Sequence, residues 1–218
     1  MPNNNKNSNL IVGLDIGTSK VVCIVGKYNS DGRLEIVALG AYPSSGLKKG
    51  VVVNIDATTD AISKAVDQAQ SMIEEKIKSV FVGIAGNHIK SLNSQGAVGI
   101  RDKEVSSFDI DRVIDSAQAV SIPSDQRVLH VLPQEFVIDG QEVSLDPLGM
   151  SGVRLEAKVH LVTCANSAVK NIEKCIKNCG LAVDGFVLEQ LASSHSILSD
   201  DEKELGVCLV DIGGGTTD

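Results

Sequence analysis

Two stretches of the chain set an aspartate, glycines and hydroxyl residues in the same order. The first is Leu14-Asp15-Ile16-Gly17-Thr18-Ser19-Lys20, and the second is Val210-Asp211-Ile212-Gly213-Gly214-Gly215-Thr216-Thr217. Each runs from an apolar segment through Asp-Ile-Gly into hydroxyls. A glycine turn lets backbone N–H groups converge on phosphate oxygens with no Cβ in the way. Thr18, Ser19, Thr216 and Thr217 add hydroxyl donors, and Lys20 supplies a point charge suited to a β/γ-phosphate region. Asp15 and Asp211 end their strands where they can hold Mg²⁺, through its waters, because Mg²⁺ dehydrates reluctantly. Either turn alone reads as an ordinary hairpin, with Gly for positive φ and Asp for capping. The two together, with matching order and carboxylate position, predict a site for a nucleotide and its metal built from Asp15, Gly17, Thr18, Ser19, Lys20, Asp211, Gly213, Gly214, Gly215, Thr216 and Thr217. Neither is a GxxxxGK[ST] loop, nor a GxGxxG opening a helix. The two aspartates lie almost a whole chain apart, which predicts two similar half-folds rather than a short-period repeat.

Bulk properties narrow the partners. The chain has 218 residues, 43% of them hydrophobic but only 3% aromatic, so its core must be aliphatic and β-branched. A net charge of -8 and a pI near 5.0 leave no basic surplus to neutralise phosphates, which argues against nucleic acid as a partner. The polar start, MPNNNKNSN, is neither a signal peptide nor an amphipathic presequence and reads as a disordered tail. No apolar run approaches the roughly 20 residues of a membrane-spanning helix. Five cysteines at 23, 164, 175, 179 and 208 lack the paired spacing of zinc sites. Cys175 and Cys179 share one helical face and read as buried thiols, in keeping with a reducing cytosol.

The elements that must carry the turns follow from periodicity. Leu10–Leu14, Val21–Val25 and Leu34–Leu39 predict an antiparallel meander, with Asn29-Ser30-Asp31-Gly32 as a hairpin turn. Gly46 and Gly50 bracket a Lys-Lys turn. Asp56 is positioned to cap a helix with Ile62, Val66, Ala69, Ile73 and Ile77 at helical spacing, and Ser79–Ala85 is a further strand. From Gly86 to Thr163 the texture changes. A strand with a turn at Asn93–Gly96 precedes a helix started by Ser107 or Asp109 and ended by Pro123, with Val120 still on its inner face. A strand follows that Pro133 demotes to an edge or a bulge. Then come a loop, SLDPLGMSG, and a long alternating strand ending near Thr163. A helix with Val169, Ile172 and Ile176 inward closes at Gly180. A short strand leads into a helix near Glu189, Ser199–Lys203 is a charged link, and Leu205–Val210 is a buried strand.

The two turns resemble the phosphate motifs of the actin, Hsp70 and sugar-kinase ATPase superfamily. That resemblance implies an α/β fold of two actin-like (RNase-H-like) lobes with ATP·Mg²⁺ in the cleft between them. Asp184–Ser194, DGFVLEQLASS, stands where the superfamily's first connecting helix lies, with small Ala192, Ser193 and Ser194 for close helix packing. The match places Glu189 beside the nucleotide as a catalytic candidate that orients water. The same residue reads equally as a solvated first-turn charge favoured by the helix dipole. Gln190 departs from the Pro that often follows.

Within the superfamily, DIDRVIDSAQAVSIP, HVLPQEFVIDGQ and DPLGMSGVRLEAKVHLVT are similar to the FtsA family of bacterial cell-division proteins. The resemblance covers about Asn9 to Asp218 and implies a discontinuous first lobe over 9–83 and 163–203, after a tail over 1–8. A small strand-helix-strand-strand subdomain is inserted over 84–162, and the first strand and phosphate turn of a second lobe occupy 204–218. Family members bind ATP, assemble into actin-like filaments, tether the FtsZ ring to the inner face of the cytoplasmic membrane and contact other divisome proteins. Hydrolysis in the family is weak or contested. The family's second lobe, its FtsZ-contacting subdomain and its C-terminal membrane helix have no counterpart in these residues, so a truncated chain is expected. The alternatives are a pilus-assembly adaptor of the same fold, or an enzyme such as a sugar kinase. The latter would need a substrate-binding Asp and a sugar-contacting polar loop, neither of which stands out. The four histidines, at 88, 130, 160 and 195, are scattered singly and read as structural.

Overall fold

The computed structural model describes residues 10–143 and 146–218; the polar tail and Ser144–Leu145 of the predicted loop lie outside the described residues. The described residues divide into two compact units, one of residues 10–88 with 167–218 and one of Ile89–Asn166. The second runs a few residues later at each end than the 84–162 expected.

The first unit is built on a meander of β1 (Leu10–Ile16), β2 (Lys20–Tyr28) and β3 (Leu34–Pro43), all antiparallel. Asn29 forms the hairpin turn, its Oδ1 accepting from the N–H groups of Asp31 and Arg33. A two-residue hairpin, β4 (Leu47–Lys48) and β5 (Val51–Val52), then enters α1 (Ile55–Gln70). The cap of α1 is Asn54, whose side chain accepts from Ala57 N at 3.0 Å. Asp56 sits inside the first turn instead, because the cap position needs extended backbone ahead of the helix. The helix ends at Gln70, so Ile73 and Ile77 lie beyond it and Ile77 is buried from a loop. Ala61, Ala65 and Ala69 are fully buried. This shallow face brings the helix so close that a Cβ on Gly40 of β3 would stand 2.7 Å from Ala69 N and overlap the Ala65 carbonyl oxygen.

β6 (Ser79–Ile84) joins β1 in parallel, and β11 (Ala182–Leu188) joins β6 in parallel, giving the order β11-β6-β1-β2-β3. Between them in sequence comes the second unit, with β7 (Ile89–Gly99), α2 (Ser107–Gln118), β8 (Gln126–Ile138), β9 (Gln141–Val143) and β10 (Arg154–Ala165). Its sheet order is β7-β10-β8-β9, all antiparallel, with Val113, Ala117, Leu155, Ala157, Val159 and Leu161 in the core. The expected turn at Asn93–Gly96 is not formed, since β7 pairs with β10 without a break. Gly96 serves contact instead: a Cβ there would lie 2.9 Å from Ala117 Cα and collide with the α2 backbone. α2 begins at the capping box of Ser106 and Asp109 and ends at Gln118, before Val120 and Pro123. Pro133 lies where β8 has no β9 partner and where its register with β10 slips, so edge and bulge both hold. β9 was not expected; the Asp139-Gly140 turn, both residues at positive φ, makes it.

α3 (Asn166–Asn178) buries Val169, Ile172, Cys175 and Ile176 and is followed by Gly180 at φ 75°. Cys175 and Cys179 turn their thiols onto carbonyls of α1, Ile55 O at 3.7 Å and Thr59 O at 3.4 Å. α4 (Glu189–Ile197) follows β11 directly, and the charged link after it is a short capped helix, α5 (Asp200–Leu205). The buried strand expected over Leu205–Val210 is not formed. Val207 and Val210 are exposed, and no strand among the described residues offers them a ladder partner. No helix among the described residues is long and apolar enough to cross a membrane.

Candidate functional site

The two Asp-Ile-Gly turns fold alike. In the first, Asp15 pairs with Val22 and Ile16 with Val21, and Gly17 N donates to Lys20 O at 3.0 Å. In the second, Asp211 and Asp218 exchange both backbone hydrogen bonds, at 2.8 and 2.9 Å. Ile212 there bridges Thr217, and Gly213 N donates to Thr216 O at 3.0 Å. Each turn is thus closed by its first glycine onto the carbonyl three residues on. A Cβ on Gly17 would stand 3.0 Å from that carbonyl, a tight contact that favours glycine there. The amides of Gly17 and Gly213 are spent on closure, so the N–H groups offered to a ligand are those that follow, at Thr18, Ser19, Gly214 and Gly215.

The turns also touch. A side chain on Gly215 would lie 2.7 Å from Thr18 Oγ1, and one on Gly214 would lie 2.8 Å from Ser19 Cβ. A cavity of about 230 Å³ opens beside them, lined by Asp15, Gly17, Thr18, Ser19, Lys20, Glu189, Asp211, Gly213, Gly214, Thr216 and Asp218. Most of the residues proposed from sequence are therefore brought together. Gly215 packs on Thr18 at its edge, and Thr217 lies on the stem of the second hairpin, outside the lining. Gly50, at the tip of the Lys-Lys hairpin, donates its N–H to Thr18 Oγ1 at 3.4 Å. This fixes the hydroxyl as an acceptor on one side and leaves its proton for a ligand.

Four carboxylates, Asp15, Asp211, Asp218 and Glu189, line this cavity against one cation, Lys20. Burial, and then the charges of Asp15, Asp211 and Asp218, push the Glu189 carboxyl up to about 7. Burial also raises Asp15, with Lys20 opposing and Asp211 adding. A divalent cation would relieve this excess of negative charge. Among the described residues no three His, Cys, Asp or Glu side chains stand close enough to ligate a metal directly. Asp15 and Asp211, which face one cavity, are the carboxylates that fit a hydrated Mg²⁺ held through its waters.

A pH dependence follows. A carboxyl raised above its ordinary 4.5 gives the folded state the greater proton affinity. Its contribution is therefore present in full below about pH 4.5 and is lost as pH rises through 7. In the absence of nucleotide and divalent ions, Glu189→Gln should be more stable than the unsubstituted protein at pH 8 by on the order of 3 kcal/mol at most, and so melt higher, but be no more stable near pH 4. Thermal melts at the two pH values check this.

Glu189 is the first residue of α4, and its N-cap, Leu188, offers no side-chain cap. It is the acidic residue of the first turn of α4, and its half-buried side chain lies over β6. No histidine lines the cavity. His160 Nδ1 lies 2.6 Å from Asn93 Oδ1 in the other unit, and the ring nitrogens of His88 are buried without a hydrogen-bond partner. Gly50, Gly83 and Asp218 were missed as site residues. A glycine amid the β-branched run of SVFVGIA was the available signal for the second.

Residues 86–163 match the family model of the SHS2 domain inserted in FTSA. The chain is 67% identical over 209 residues to the cell division protein FtsA of Pseudomonas aeruginosa, a match covering 96% of this chain and 50% of the relative. It is 47% identical to that of Escherichia coli K12 over the same shares. It spans about half the length of these curated relatives. Among solved structures, a chain of the PilM–PilN type IV pilus biogenesis complex superposes with a TM-score of 0.58 at 15% identity. That match covers 85% of this chain and 49% of the other, and it supports the actin-like α/β fold class alone.

Proposed function

The chain is an FtsA-family cell-division sequence over the half of the relatives' length that it spans, and on that premise we propose that it carries the phosphate-binding side of an ATP·Mg²⁺ site in a filament-forming adaptor of the division ring. The observation that carries this reading is the identical closure of the two Asp-Ile-Gly turns and their contact across one acidic cavity.

The residues divide the work by chemistry. Amides after the closing glycines, with the hydroxyls of Thr18, Ser19 and Thr216, bind phosphate oxygens, and Lys20 neutralises them. Asp15 and Asp211 hold the hydrated cation, which when bound neutralises phosphate charge. Glu189 orients water at the cavity. At neutral pH, without the cation, it is shared between its acid and carboxylate forms.

We assign to the full-length protein the family's wider role. It self-associates into filaments with ATP bound, anchors the FtsZ ring peripherally at the inner face of the cell membrane, and recruits later divisome proteins. Sedimentation of the full-length protein with FtsZ polymers and vesicles tests this. ATP with Mg²⁺ should increase co-pelleting, and pelleting that is indifferent to nucleotide would refute the coupling.

A further inference from the structure

Gly83 stands in the interior of β6, between β1 and β11, where a β-branched residue is favoured and glycine weakens the strand. Its backbone does not require glycine, since its φ is not in the left-handed region. What the position provides is space. A Cβ on Gly83 would lie 3.0 Å from Glu189 Cγ, 3.2 Å from Oε1 and 3.5 Å from Cδ. The register explains the encounter. Val187 pairs with Gly83 and Leu188 with Ile84, so Glu189 is the first residue past the strand end and its side chain folds back over β6. Gly83 and Glu189 both line the small cavity beneath the first turn, and Glu189 lines the phosphate cavity as well.

We propose that Gly83 is a positioning residue, whose missing side chain seats the Glu189 carboxyl against the two phosphate turns. The ligand half of this inference rests on the nucleotide reading of the site; the packing half does not. A branched side chain at 83 drives the carboxyl off the strand and out of the acidic cluster, while the turns themselves keep their closure. Alanine is a milder change, because a flexible glutamate yields by a few tenths of an ångström.

A double-mutant cycle in the full-length protein separates this from a merely structural role. Gly83→Val should lower the melting temperature by about 3 °C or more when Glu189 is present. In a Glu189→Ala background the same change should be neutral or stabilising, because valine then fills free space in a strand that favours it. An equal loss in both backgrounds would overturn the proposal. Titration with ATP and Mg²⁺ supplies the second reading. Gly83→Val should change the ATP·Mg²⁺ affinity in the same direction and by a factor similar to that of Glu189→Ala, and add nothing to it, whereas full additivity would again overturn the proposal. If the unsubstituted protein bound no ATP, the nucleotide reading would fail, and the melting cycle would still decide whether Gly83 seats Glu189.

Discussion

Gly40→Val should cost the first unit at least about 3 kcal/mol, a drop in melting temperature on the order of 10 °C for a chain of this size. The cause is the closeness of α1 to β3. Ala61, Ala65 and Ala69 form a fully buried, nearly flat helix face, and the helix backbone rests directly over Gly40. A side chain there meets backbone atoms of residues 65 and 69, which cannot swing aside as a side-chain tip would. The helix must lift, opening voids along Val21, Cys23 and Val25, all fully buried on β2. Gly99→Ala is the control. It ends a strand with nothing within 4 Å of the added methyl, and it should melt within a degree or two of the unsubstituted protein. Similar losses for the two would show that the helix–sheet spacing has slack.

Asp15→Ala in the full-length protein should weaken ATP·Mg²⁺ binding about 5- to 150-fold, roughly 1–3 kcal/mol, the range for depriving a polar partner of its hydrogen bond. Asp15 is the last polar residue before the first turn, and it shares the cavity with Asp211 and Lys20. The loss should depend on the metal. With Mg²⁺ chelated, both proteins should bind ATP weakly, and the substituted one no worse, since an anionic carboxylate near phosphate then only repels. A fluorescence titration in both conditions reads this directly. An unchanged affinity in Mg²⁺ would remove Asp15 from the site.

Much of this was legible in the chain because the signals are local. The Asp-Ile-Gly-hydroxyl order predicted both turns, and their equivalence needed only a comparison of Leu14–Lys20 with Val210–Thr217. The meander followed from three apolar runs and the Asn29–Gly32 turn, and Pro133 marked an edge and a bulge. The readings that failed concern glycines and neighbours. Gly96 satisfies the local description of a turn, yet it is set by α2 lying on its strand, a contact that sequence spacing does not encode. Gly83 has the same origin, with Glu189 as the group that needs the space. Leu205–Val210 has the composition of a strand, but strand formation depends on a partner ladder, and no described strand supplies one. Asn54 rather than Asp56 caps α1, an ambiguity of two residues among good capping types that only the extended backbone at Asn54 resolves.

In the proposed site, two turns far apart in sequence bind one ligand. Backbone hydrogen exchange of the full-length protein, with and without saturating ATP and Mg²⁺, tests it most directly. Peptides covering Gly17–Lys20 and Gly213–Thr216 should gain protection together, with the same half-saturating nucleotide concentration. Protection at one turn alone, or at neither, would contradict it.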